Sequence, residues 1–364
     1  VAAVRVPRVT VLLAVYNGEP HLGQAVRSVL GQTFRDFELL VVDDASNDGS
    51  ARTLASFRDP RLRVVRNEAN LGLTRSLNLG LAQIRSEYVA RLDADDWSFP
   101  ERLERQVAFL DANHEIGVVG AQAIAIDVRG RELKRVRWWH REWQRASGGA
   151  AFEWYRMFDT PFIHSSVMFR RTLVRDELDG YDECFLLSQD AELWMRAARR
   201  TPMANLDTPL VAMRIRPSSL TFDSADRRAR ATREQKIAIL HTAMTDVLRE
   251  SDVPARIAET WIDVNEAATA VSPQAIRILR DDLDALAARF PRERAIRLHR
   301  ASMLARMIEK TGPGSRSLTL AMLSGLLGLD PAGALLLLPR VLLRLSFGDL
   351  PFRWRREVWR RRTA

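Results

Sequence analysis

The chain has 364 residues, 46% hydrophobic and 28% charged, which suits a soluble globular protein of about two domains and excludes a disordered chain. Eighteen Gly and fifteen Pro exclude collagen-like or low-complexity architecture, and the one cysteine, Cys184, excludes an internal disulfide framework or a Cys-only zinc site. The formal charge is +9, and six of those nine charges lie from Arg340 onward, where eight Arg face one Asp and one Glu.

In chain order, Val9 to Val15 is an apolar run that ends at Tyr16-Asn17-Gly18, a buried strand followed by a turn. His21 to Leu30 carries a helical apolar stripe through Leu22, Ala25, Val26, Val29 and Leu30. Phe37 to Val42 is a second strand, stopped by Asp43-Asp44, and a helix is expected to start at Asp48 or Ser50. Leu62 to Arg66 is a third strand and Leu71 to Ile84 is helical. Tyr88 to Leu92 is a fourth strand, stopped by Asp93-Ala94-Asp95-Asp96. Phe99 to Leu110 is helical and Ile116 to Ala121 is a fifth strand. Ser98, Pro100 and Glu101 spell a capping box for the helix that follows, so Asp93 and Asp95 are not needed as caps.

Strand and helix alternating in this way predict a mostly parallel sheet covered on both faces. Such sheets bind ligands outside the carboxyl ends of their strands, where both acidic clusters fall. From Ile124 to about Thr221 the pattern is mixed, with Gln189 to Arg199 helical. After Asp223 it is helical throughout, and Ala301 to Met307 with Leu318 to Leu327 predict an antiparallel helix pair. The expected domains are residues 1–224, α/β, and residues 225–364, helical.

Three acidic segments can carry chemistry. Asp93, Asp95 and Asp96 repel one another when ionised and need a cation or positive dipoles nearby. An oxygen-only set of this density suits Mg²⁺ or Mn²⁺, with a solvated turn as the alternative. Asp43 and Asp44 at a strand end can accept a base N–H such as the imide of uracil, with an ordinary Asp-rich turn as the alternative. Asp190 begins a helix with Trp194 four residues later on the same face, an acid beside an aromatic plate that suits a sugar. The alternative there is an acid that complements the helix dipole.

Together these segments resemble the family 2 glycosyltransferases. The resemblance covers about residues 7 to 221. It rests on Val9 to Asn17, Asp43-Asp44, Asn70 to Asn78, Asp93-x-Asp95-Asp96, His164-Ser165-Ser166-Val167 and Gln189-Asp190. It implies the GT-A fold, a Rossmann-like, mostly parallel sheet sandwiched by helices, here followed by an α-helical C-terminal region. It also implies an inverting transfer from a nucleotide sugar, by family frequency a UDP-sugar, to a glycan or lipid-linked acceptor in polysaccharide biosynthesis. Ala14, Val15, Tyr16, Asp43 and Asp44 would frame the base, and Arg75 would lie near the phosphates. Asp93 and Ala94 would lie at the nucleotide, and Asp95 or Asp96 would bind Mn²⁺ or Mg²⁺. Asp190 would be the catalytic base, with Gln189 where relatives often have Glu. Arg216 stands where many relatives have His; it cannot bind a cation but can clamp phosphate.

Trp97, Trp138, Trp139 and Trp143 are candidates for an acceptor platform or for core packing, and His164 and Trp194 for the sugar site. Cys184 is expected to be buried or semi-buried without a catalytic role. From Pro339 onward Leu, Phe and Trp interleave with Arg, which suits an anionic membrane surface or a solvated tail. No signal peptide and no stretch of about 20 uncharged apolar residues is visible. The expected location is cytoplasmic, peripheral on the inner face of the membrane. No nucleic-acid motif is found, and oligomeric state is not specified. The rival to an enzyme is a carbohydrate- or membrane-binding protein on a degenerate transferase fold.

Overall fold

The computed structural model describes residues 5–133, 148–185, 188–215, 226–266, 271–310 and 316–329. The chain divides into two compact units, Val1–Gly148 with Thr160–Phe222, and Gly149–Asp159 with Asp223–Ala364.

The first unit is built on one eight-stranded sheet. Its strands are β1 (Val9–Val15), β2 (Phe37–Asp43), β3 (Leu62–Arg66), β4 (Tyr88–Arg91), β5 (Trp97–Ser98), β6 (Val118–Ile126), β7 (Met168–Arg170) and β8 (Met203–Arg214). They lie in the order β3-β2-β1-β4-β7-β6-β8-β5. β1 is buried at every residue because it runs parallel between β2 and β4 with both faces covered. Parallel pairing holds from β3 to β4 and again between β6 and β8. Beyond β4 the sheet is mixed, since β7 is antiparallel to both β4 and β6, and β5 to β8. Neither β5 nor β7 has an apolar run of its own: they are two and three residues long and exist through their neighbours.

The covering helices are α1 (Leu22–Leu30), α2 (Ser50–Ser56), α3 (Leu73–Ala82) and α4 (Arg102–Ala112). α1 turns Leu22, Ala25, Val26 and Val29 onto the sheet, as its stripe predicts. Two details differ from expectation. Ser98 pairs in β5 instead of capping α4; its Oγ accepts from Arg102 Nη1 at 3.0 Å, and Glu101 directly precedes the helix without a side-chain cap. β6 runs to Ile126, five residues past the expected end, because β8 pairs along its length with a bulge near Gln122.

The second unit is helical: α5 (Gly149–Arg156), then, after α6 (Gln189–Ala198) of the first unit, α7 (Asp226–Leu248), α8 (Ala255–Glu266), α9 (Pro273–Ala287), α10 (Arg294–Lys310) and α11 (Arg316–Leu329). α10 and α11 pack together as the sequence suggests. Trp154 on α5 is fully buried here and donates from Nε1 to His299 Nδ1 at 2.9 Å, while Tyr155 stacks on the same imidazole at 4.1 Å. Among the described residues no helix is long and apolar enough to cross a membrane.

Candidate active site

β1, β2 and β4 are parallel, so their carboxyl ends share one edge of the sheet, and the loops that leave them meet there. The loop after β1 is laced to the loop after β2. Asn17 N–H donates to Ser46 Oγ at 3.0 Å, Asn47 N–H to Asn17 Oδ1 at 2.9 Å, and Gly18 N–H to Ser50 Oγ at 2.9 Å. Ala14 and Val15 are buried in β1, whereas Tyr16 is 49% exposed.

The two acids at the end of β2 divide their work. Asp43 is buried, accepts Ser46 N–H at 2.9 Å and faces Arg66 Nε at 3.7 Å. Asp44 accepts Asn67 Nδ2–H, Leu71 N–H and Gly72 N–H at 2.8–2.9 Å. Those bonds hold the loop that enters α3, and Gly72, at φ +88°, makes the left-handed turn that aims its N–H at the carboxylate. Buried carboxylates satisfied in this way are structural anchors before they are anything else.

The acidic rim follows β4. Asp93 is half-buried, bonded through Oδ1 to Arg91 Nη2 at 2.6 Å and through Oδ2 to the Ser165 hydroxyl at 2.8 Å. Burial alone would raise its proton affinity, but Arg91 and Ser165 outweigh that and hold the carboxyl below the usual range. Ala94 and Asp95 are half-buried. Asp96 is buried and accepts Arg214 N–H at 2.7 Å. Burial, then the charges of Asp95 and Asp93, pushes its proton affinity well above the ordinary value. Beneath the rim Arg102 is fully buried and donates to the Arg91 and Val167 carbonyls at 2.7 and 3.1 Å.

Asp190 lies in the first turn of α6. Its proton affinity is raised, first by burial, against backbone hydrogen bonds, and further by the charge of Asp93. Asp190 is therefore within electrostatic reach of Asp93. His164 and Tyr181 join each other, Nε2 to hydroxyl, at 2.9 Å. Both feel Arg91 and Asp93, and burial keeps the imidazole neutral, with a pKa lowered to about 3. Gln189 is buried, its Oε1 without a hydrogen-bond partner among the described residues.

Two expected residues, Trp194 and Cys184, are placed otherwise. Trp194 is 1% exposed and packs edge-on against Phe162 at 5.6 Å, so its ring is core and not a sugar platform. The i+4 spacing did put it on the face of Asp190; that face turns inward one turn later. Cys184 is exposed on the loop before α6, which corrects the expectation of a buried thiol. Arg75 is exposed and paired with Glu183 at 2.9 Å. Trp97 is half-buried under the Arg214 guanidinium, 5.5 Å from its ring centre. Arg216, Trp138, Trp139, Trp143 and the tail from 339 lie outside the described residues.

The residues that the sequence did not single out are Arg91, Ser165, Tyr181, Arg102 and Arg214. Ser165 had a signal, as a member of His164-Ser165-Ser166-Val167. The arginines had none, because an Arg in a run reads as surface until its partners are known.

The residues fit a divalent cation. The donors are carboxylate oxygens, the chemistry that Mg²⁺ and Mn²⁺ prefer. The charges of Asp95 and Asp93 add to burial in raising the proton affinity of Asp96, as expected of carboxylates crowded at one strand end. Among the described residues no three acidic, imidazole or thiol side chains form a ready cage. A rim of this kind needs water and phosphate to complete a coordination shell.

A family model described as glycosyl transferase family 2 matches residues 10–177. The putative glycosyltransferase EpsE of Bacillus subtilis is 34% identical over 195 residues, 52% of this chain and 66% of its own length. The chain thus spans just under two thirds of that relative. The amylovoran biosynthesis glycosyltransferase AmsE of Erwinia amylovora is 33% identical over 216 residues, 58% of this chain and 76% of its own. Among solved structures, S. aureus TarS 1–349 in complex with UDP-GlcNAc has a TM-score of 0.56 at 19% identity, over 87% of this chain and 92% of that one. The mannosyltransferase PcManGT of Pyrobaculum calidifontis, in complex with GDP-Man and Mn²⁺, has a TM-score of 0.51 at 19% identity, over 90% of this chain and 87% of that one. The fold is GT-A.

Proposed function

Because the chain belongs to the family 2 glycosyltransferases, we propose that it transfers a sugar from a UDP-sugar to a hydroxyl of a glycan or lipid-linked acceptor, with inversion, in polysaccharide biosynthesis. The observation that carries this reading is the pairing of a half-buried carboxylate of raised proton affinity, Asp190, with a separate acidic rim that it senses electrostatically. The uridine nucleotide of TarS and the polysaccharide role named for AmsE support the substrate class.

In this reading the exposed Tyr16 ring lies against the base and Asp43 accepts its N–H. Asp93, its charge fixed by Arg91 and Ser165, takes a ribose hydroxyl. Asp95 would hold a divalent ion, while Asp96 is committed to Arg214 N–H and supports the loop. When bound, the ion supplies positive charge opposite the departing diphosphate. Arg75 can leave its exposed pairing with Glu183 for a phosphate oxygen, since exposed ion pairs are worth less than about 1 kcal/mol. Asp190 accepts the acceptor hydroxyl proton as that oxygen bonds to the anomeric carbon. The bond from that carbon to the β-phosphate oxygen breaks, and its electron pair leaves with the nucleoside diphosphate.

Incubation with a panel of UDP- and GDP-sugars, Mn²⁺ and water as a poor acceptor tests the reading. Release of UDP with a free sugar of inverted anomeric configuration, followed by NMR, is expected. Binding without turnover for every donor and acceptor would favour the non-catalytic rival.

For location, we propose peripheral attachment at the inner face of the cytoplasmic membrane through residues 339–364, whose Arg, Trp and Phe suit anionic headgroups. Flotation with phosphatidylglycerol vesicles is expected for the full chain and lost without those residues. Equal flotation of both forms would remove the proposal.

A further inference from the structure

The Asp95–Asp96 end of the acidic rim is held by a residue far away in sequence. Ser165 and Arg91 hold the Asp93 end of the 93–96 loop, and one backbone bond, Asp96 N–H to Asp93 O at 3.3 Å, closes it. Arg214, the last residue of β8, is 5% exposed and reaches the loop twice. Its own N–H donates to Asp96 Oδ1 at 2.7 Å, and its Nε–H donates to the Asp95 carbonyl at 2.9 Å. The Asp95–Asp96 peptide and the Asp96 Cα therefore lie between two points held by one residue, and the carbonyl that Arg214 grips is bonded directly to the Asp95 Cα.

The other end of the guanidinium is fixed as firmly. Nη1 donates to the Asp127 and Val128 carbonyls at 2.8 and 3.0 Å, and Nη2 to Gln24 Oε1 on α1 at 2.9 Å. The turn after β6 is itself closed, since Asp127 Oδ1 accepts the Arg129 and Arg131 N–H groups at 2.9 Å. The Trp97 ring lies under the guanidinium plane. Three donors of one planar fork thus tie β8, α1 and the turn after β6 to the rim.

We infer that Arg214 is a positioning residue for the divalent-cation site: by clamping the Asp95 carbonyl and the Asp96 carboxylate, it sets the direction in which the Asp95 side chain meets the ion. The inference rests on the metal reading above. Lysine keeps the charge but not the planar fork, and it cannot serve the three directions at once. Groups that orient a ligand from outside the coordination shell typically control metal affinity by about 10- to 100-fold.

The test is Mn²⁺ binding in the presence of UDP, read from the electron paramagnetic resonance signal of free Mn²⁺. Wild type is compared with Arg214→Lys, Arg214→Met and Leu110→Ala. Leu110 is buried in α4, remote in role from the rim, and its truncation lowers stability without touching the clamp. Both Arg214 variants are expected to bind Mn²⁺ about 10- to 100-fold more weakly, with Leu110→Ala at the wild-type value despite its lower Tm. Should Arg214→Met not fold, Arg214→Lys carries the comparison. Wild-type Mn²⁺ affinity in Arg214→Lys, or an equal loss in Leu110→Ala, would overturn the inference and leave the metal reading standing. A wild-type protein that binds no Mn²⁺ with UDP would remove both.

Discussion

Asp190→Asn is expected to slow sugar transfer by about 100- to 10,000-fold, the range that a positioned general base supplies. Asparagine keeps the shape and the backbone contacts of the first turn of α6 but cannot take a proton. The loss therefore belongs to kcat, with the KM for the donor little changed. The pH profile of the wild type gives a second view. Asp190 must be ionised to accept the hydroxyl proton, and burial raises its proton affinity above that of an ordinary aspartate. The acid limb of kcat/KM is expected above the ordinary aspartate range, with the rate rising as pH climbs through it. Stability moves the other way. A carboxyl with a folded-state pKa above its unfolded value favours the fold most while protonated, and that contribution is lost as pH rises past the folded value. Asn mimics the protonated form, so the variant is expected to melt no lower than wild type at neutral pH. A slow variant with a much lower Tm would point to damage instead of chemistry.

Asp95→Asn is expected to lower kcat/KM by about 100- to 1,000-fold, as removal of a group that stabilises transition-state charge does. Excess Mn²⁺ should recover part of the rate. Asp96→Asn is the informative companion. Its Oδ1 still accepts the Arg214 N–H, so it retains the contact that the carboxylate makes in the fold. Its loss is expected to be the smaller of the two. The reverse order would exchange the roles of the two acids.

Much of this arrangement is legible in the sequence because strand ends carry it. β1 and β3 match their apolar runs, and the acids after β2 and β4 follow from parallel strands that finish at one edge. Asp190 is legible as the first turn of an amphipathic helix. What the sequence conceals is tertiary. Ser165 meets Asp93 across 72 residues, and Arg214 meets Asp96 across 118. No local pattern encodes either pairing. β8 alternates burial only in its middle and is solidly buried at its start, so neither period identifies it. Trp194 shows the limit of spacing arguments. Helical periodicity states which residues share a face, and it is silent on whether that face meets solvent or core. Asp44 shows another limit. An acid at a strand end suits a base N–H, yet three N–H groups of the 67–72 loop already occupy it.

The central claim is a division of labour: the rim grips the nucleotide and its ion, and Asp190 handles the acceptor proton. Calorimetric titration of UDP into wild type, Asp95→Asn and Asp190→Asn, each with and without Mn²⁺, tests it most directly. The account predicts that Mn²⁺ tightens UDP binding in wild type and in Asp190→Asn but not in Asp95→Asn. Loss of the Mn²⁺ effect in Asp190→Asn, or its survival in Asp95→Asn, would contradict it.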